Sequence, residues 1–167
     1  MATELYDLTV PVFVRALGTL AAILEKGSAF AAEKGIDPAV LLEARLFEDM
    51  APLTAQVQRA SDAAKGAVVR LGGVANESFE DIERSFPELQ ARIARTIAFV
   101  EAVPRAAIDG REEAEVLIKT PGREFRMTGQ AYVLSFVLPN LFFHVTTAYA
   151  LLRHHGVPIG KMDYLGA

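Results

Sequence analysis

Apolar residues recur along this chain every three or four positions in four separate stretches, the period of helices that bury one face. Phe13, Leu17, Leu20 and Leu24 mark the first, which is expected to begin near Glu4, to tolerate Pro11 in an early turn and to end around Gly35. Asp37 followed by Pro38 predicts a second start, an N-cap with proline at the first helical position. Its stripe runs through Leu42, Leu46, Asp49, Leu53, Val57, Ala60, Ala64, Val68 and Leu71 to Gly72-Gly73, with a kink expected at Pro52. Ser85-Phe-Pro-Glu88 is a capping box that opens a third helix carrying Leu89, Ile93, Ile97 and Val100. The fourth is apolar nearly all round. It follows Pro139, which is expected to break it from a turn around Gln130 to Val137, and it stops at Gly156 and Pro158.

Between the third and fourth helices the period changes. Val116 to Met127 predicts two short strands around a Pro121-Gly122 turn. The expected fold class is therefore all-α, a four-helix bundle with a small β-hairpin in the helix 3–4 connection. No repeat or linker divides the chain, so one domain is expected over residues 1–167.

Composition narrows the function classes. A chain of 167 residues with 51% hydrophobic and 23% charged residues can build a sizeable core. Net charge is −4 and no basic run occurs; Arg92, Arg95 and Arg105 alternate with acids on what reads as a solvated face, so nucleic acid is not an expected partner. There is no cysteine, which removes disulfides, thiolate metal sites and thiol nucleophiles. No basic segment precedes an apolar run near the N-terminus, and polar residues divide the fourth helix into short apolar runs. A cytoplasmic protein without a membrane partner is expected. HExxH, GxSxG, GxGxxG and P-loop motifs are all missing, so no enzyme class is assigned.

The candidate chemistry lies on two helices. Asn140 and His144 are four residues apart and share a helix face, continued by Thr147. Asp49 occupies a core slot between Leu46 and Leu53, where a carboxylate must be paired, hydrogen-bonded or metal-bound. One reading has Asp49, Asn140 and His144 lining a polar pocket that holds a divalent metal weakly. Another makes the stripe a structural hydrogen-bond network, with Asp49 at its edge bonding an amide or an arginine. His154 and His155 stand at the helix C-terminus, about 16 Å from His144, where a cap or surface role fits. Phe13, Phe142, Phe143 and Tyr149 offer a pocket for a small apolar ligand, although such spacing usually means core. The Lys161 to Tyr164 tail either folds over the pocket mouth or stays in solvent.

The fourth helix resembles that of the DinB/YfiT-like superfamily of bacterial four-helix bundles. His144 stands where the second His of that superfamily's His-x-x-x-His pair falls, with Leu152-Arg153 and Gly156 at the expected interval and Asn140 in place of the first His. Leu46, Asp49-Met50, Leu53 and Gln56, with Pro139-Asn140, Phe143-His144 and Gly156-Val-Pro, are similar to an uncharacterised bacterial family within it. The resemblance implies an up-down-down-up bundle, a homodimer and, in many relatives, a three-His divalent metal site; some relatives are thiol-cofactor-dependent transferases or isomerases. This chain has no His before position 144, which leaves Asp49 as the substitute from the second helix.

Overall fold

Helix α1 (Val10–Lys34) starts later than its periodicity predicts, because the chain before it turns and buries Leu5. Pro11 falls in the first turn, where a missing N–H costs no helical bond. Gly35 ends α1 in the left-handed conformation (φ +63°), and the Ile36 N–H closes onto the Ala31 carbonyl at 2.9 Å. The computed structural model describes residues 3–120 and 122–166.

The expected second helix is two helices. Helix α2 (Pro38–Leu42) is capped by the Asp37 side chain, and α3 (Leu53–Gly72) begins only after Pro52. Proline has no N–H to continue a helix and disfavours helical backbone at Ala51, so α3 starts afresh at Leu53, while α2 has already ended at Leu42. The gap is bridged by hydrogen bonds. The Leu53 N–H donates to the Ala44 carbonyl at 3.0 Å, and the Thr54 hydroxyl to that of Leu42 at 3.1 Å. Leu46 and Phe47 lose their place in the stripe and are 42% and 64% exposed. From Leu53 onward the predicted face is buried as expected.

Helix α4 (Phe86–Glu101) opens at the predicted capping box. Ser85 Oγ accepts from the Glu88 N–H at 3.3 Å, while the Glu88 carboxylate takes the Arg84 N–H at 2.7 Å. A short helix α5 (Arg105–Ile108) then leads to the hairpin of β1 (Glu115–Thr120) and β2 (Arg123–Thr128), paired antiparallel from Glu115↔Thr128 to Thr120↔Arg123. Gly122 turns with φ +79°; Pro121, the other expected turn residue, lies outside the described residues. Helix α6 (Gly129–Tyr132), a π-turn (Val133–Val137) and α7 (Leu138–His154) follow without a break, and α8 (Lys161–Leu165) closes the chain.

Contacts fix the topology. Gln90 on α4 reaches the Ala21 carbonyl, and Phe86 lies against Gly27, so α1 and α4 are antiparallel. Ser61 bonds Thr96 at 2.7 Å and Arg92 at 3.2 Å midway along both helices, and Gly72 at the end of α3 lies against Val103 just past the end of α4, so these two are parallel. Tyr132 meets Arg70 and His144 meets Gln56, so α7 runs against α3. Leu152 packs on Gly27 and Phe142 faces Ala16, which makes α7 parallel to α1. The bundle is up-down-down-up.

Parallel α3 and α4 need a long return, residues 73–85, and that segment is fastened by charge. Arg92, whose side chain is only 2% exposed, pairs with Asp62 (3.0 Å), Asp81 (2.9 Å) and Glu83 (3.1 Å). Lys65 and Arg95 stack on the Phe79 ring at 4.6 and 3.9 Å. The sequence places Arg92 on a solvated face, but the crossing segment covers it.

Candidate functional site

Asp49 does not join Asn140 and His144. It stands in the exposed turn between α2 and α3, the consequence of the break at Pro52, and is not among the residues lining a cavity with them. The α3 side chain that meets His144 is Gln56. Buried on the first turn of α3, Gln56 donates its amide N–H to the Ala51 carbonyl at 2.9 Å. That bond orients the amide oxygen towards His144, and Gln56 Oε1 to His144 Nδ1 is 2.7 Å. An amide oxygen accepts only, so Nδ1 carries the proton and Nε2 is left with a free lone pair.

His144 is 7% exposed. Burial, and then the Arg59 guanidinium, lower its pKa from the ordinary 6.5 to about 4, so it is neutral at physiological pH. Nε2 has no hydrogen-bond partner among the described residues. The side chain borders a cleft of about 310 Å³ between α3 and the continuous helix from α6 to α7, lined by Arg59, Asp62, Ala63, Arg70, Tyr132, Phe136, Val137 and Asn140. At the far end Arg70 Nη1 donates to Tyr132 Oη at 3.1 Å, and Tyr132 stacks on Phe136 with centroids 5.8 Å apart. Burial raises the Tyr132 pKa against the pull of Arg70, so the phenol keeps its proton.

Tyr132, Phe136, Asn140 and His144 follow one another at four-residue intervals. In an α-helix each such step drifts by about 40°, and three steps would carry the first residue away from the last. The π-turn at Val133–Val137 lies inside this interval, and its i→i+5 bonding turns the chain less per residue. It takes back part of the drift and keeps all four on the cleft. Pro139 accounts for the π-turn, since an α-helix would aim its ring at the Ser135 carbonyl and leave that carbonyl without an N–H partner. The expected break at Pro139 is thus a widened turn in an uninterrupted helix. By length and composition alone this helix could cross a membrane; here it packs as a bundle core helix against α1 and α3.

The remaining candidates lie elsewhere. His154 and His155 end α7, and His155 Nδ1 bonds the Leu151 carbonyl at 2.9 Å. The tail folds onto α1 and the far side of α7. Asp163 pairs with Lys26, Tyr164 Oη bonds Thr146 Oγ1 at 2.9 Å and Arg15 takes the Leu165 carbonyl, while Lys161 is exposed. Phe13 is fully buried, Phe143 is 55% exposed and Tyr149 packs edge-on to Tyr164, so the four aromatics do not enclose one pocket.

A family model described as "Domain of unknown function (DUF1993)" matches residues 5–165. The chain belongs to the DUF1993 family. A crystal structure of a DinB family member protein from Shewanella denitrificans is 42% identical, with a TM-score of 0.89 over 98% of this chain and 92% of that one. No curated protein matches. The DUF1993 chain is a DinB-like bundle of an uncharacterised family, as the fourth-helix motif implies.

The three-His metal site that the resemblance implies was tested against the donors present. Among the described residues no three His, Asp or Glu side chains are gathered as ligands. His144 is the single imidazole at the cleft, Gln56 spends its oxygen on Nδ1, and Asp62 is tied to Arg92. The Arg59 guanidinium adds repulsion for any cation. These residues do not fit a zinc-type site.

Proposed function

We propose that this DUF1993 protein is a small-molecule-binding bundle, and that the cleft between α3 and α7 is its ligand site. The observation that carries this reading is the orientation of His144. Gln56, itself held by the Ala51 carbonyl, presents Nε2 as an acceptor in the cleft that Asn140 and Arg59 also line, with the Tyr132 hydroxyl at its far end. One ring nitrogen holds the network and the other faces a cavity, where it can accept a ligand's hydrogen bond.

The low basicity of His144 favours binding over acid–base catalysis. With a pKa of about 4, the imidazolium is on the order of one part in a thousand at pH 7, which makes it a poor proton carrier and a good hydrogen-bond acceptor. The proposal is of a cytoplasmic protein, and the exposed Phe142 and Phe143 on α7 favour pairing with a second copy, which sedimentation would measure.

The test is a fragment screen read by amide chemical shifts, on the wild type and on His144→Phe and Asn140→Ala. Expected are shifts confined to amides around Arg59, Ala63, Phe136 and Asn140, and their loss in His144→Phe. A screen in which no fragment moves those amides overturns the proposal. So does stoichiometric binding of zinc or manganese that Asn140→Ala abolishes.

A further inference from the structure

From the two ends of this cleft we infer its ligand class: a linear organic dianion, with a carboxylate at each end of an apolar chain. The inference rests on the proposal that the cleft binds a small molecule, and adds the charge and length of that molecule. Arg59 and Arg70 are eleven residues apart on α3, which returns them to within about 20° of one face at a rise of about 16 Å. Between them the α3 side of the cleft carries Asp62, whose carboxylate is drawn onto Arg92, and Ala63, with Gly66 on the same face. Across the cleft the antiparallel helix sets His144 and Asn140 opposite Arg59, Tyr132 opposite Arg70, and Phe136 and Val137 in the middle. The trough is cationic at both ends, with Ala63, Phe136 and Val137 supplying apolar surface between them and Asp62 held aside by Arg92.

The charges at the ends are uncompensated. Among the described residues neither Arg59 nor Arg70 takes part in an ion pair. The carboxylate that also lines the cleft, Asp62, is paired with buried Arg92 behind it. Tyr132 accepts the Arg70 bond, so its own O–H is free to donate.

Glycine at position 66 sets the length. A Cβ there would lie 2.6 Å from Arg70 Nη1, so the guanidinium rests against Gly66, one turn back towards Arg59. That draws the Arg70 guanidinium to the level of residue 66, seven residues or on the order of 10 Å of helix from the Arg59 backbone. Guanidinium groups grip carboxylates through charge-assisted, frequently bidentate hydrogen bonds, which makes a carboxylate at each end the matching partner.

The experiment is calorimetric titration of the intact protein with succinate, suberate, dodecanedioate and the monoacid octanoate. Arg59→Gln and Arg70→Gln are measured beside the wild type, and thermal melting verifies that these exposed positions leave the fold intact. Expected is tightest binding for suberate, which matches the span. Each single variant should weaken suberate about tenfold or more, towards the level of octanoate, the loss of one charge-assisted contact. Equal affinity across the diacids, or suberate binding indifferent to both substitutions, overturns the inference. If neutral fragments shift the cleft amides while no diacid binds, the dianion is wrong and the binding site stands. If neither binds, both fall.

Discussion

Lowering the pH should destabilise the fold through His144, by an amount that follows from its surroundings. In the folded chain His144 keeps its neutral form down to a pKa of about 4, whereas in the unfolded chain it titrates near the ordinary 6.5. Between those values the unfolded state binds a proton that the folded state refuses, so stability is fully present above pH 6.5 and is lost as pH falls towards 4. A gap of roughly 2.5 pH units at 1.36 kcal/mol per unit gives about 3 kcal/mol. His144→Gln removes the titration while keeping an amide N–H for Gln56. Urea unfolding of both proteins at several values between pH 7.5 and 4 should show the wild type losing about 3 kcal/mol more than the variant. Carboxylates titrate in both and cancel in the comparison. Burial is the larger cause and Arg59 the second, so Arg59→Gln should move the midpoint of this loss only part of the way back towards 6.5. Parallel stability curves for the wild type and His144→Gln would refute the reasoning.

Further outcomes follow from contacts elsewhere in the bundle. Gln56→Leu leaves the His144 Nδ1–H without its acceptor and the Ala51 carbonyl without its donor, and should cost about 1–3 kcal/mol in urea unfolding. Gly129→Ala would set a Cβ 2.1 Å from the Arg111 carbonyl oxygen and should cost about 1–3 kcal/mol or more. Gly18→Ala, on the open side of α1, should instead gain about 0.5–1 kcal/mol; melting curves of the pair check both. Arg92→Met strips a buried cation from Asp62, Asp81 and Glu83 and should cost about 3–5 kcal/mol, with early proteolysis in residues 73–85 as a second readout. Asp49→Ala should stay within about 0.5 kcal/mol of the wild type and leave ligand binding unchanged, since it lies in an exposed turn away from the cleft.

The sequence revealed helices through periodicity and helix ends through capping, and both signals are local. The Gly35 stop, the Ser85 start, the hairpin and the buried face from Leu53 to Leu71 were legible for that reason. Pro52 was visible too, but periodicity could not tell a kinked helix from a broken one, and Asp49 went with the wrong alternative. What decides the matter is tertiary: Leu53 and Thr54 bond back to Ala44 and Leu42 where α2 is packed between α1 and the start of α3. Arg92 shows the same limit. Its burial depends on a return segment whose path is set by the parallel arrangement of α3 and α4, a non-local fact. Asn140 and His144 were legible as neighbours because four residues span about one helical turn.

The partners across the cleft follow a simple geometric rule once the direction of α7 is known. Antiparallel helices pair positions that advance on one and retreat on the other, so Gln56 and Arg59 meet His144 and Asn140 while Arg70 meets Tyr132. A helix with a proline in this run would ordinarily spoil that pairing, and the π-turn restores it. Pro139 is thus part of how Tyr132 and His144 come to address one cavity from positions twelve residues apart. Beside His144 stand an amide oxygen, from Gln56, that accepts a hydrogen bond from the imidazole, and the Arg59 guanidinium, which repels cations. Each alone would only weaken a metal site. Together they disfavour a cation, and under the proposal made above they favour an anion met by Arg59 and Arg70, with the neutral His144 at the Arg59 end.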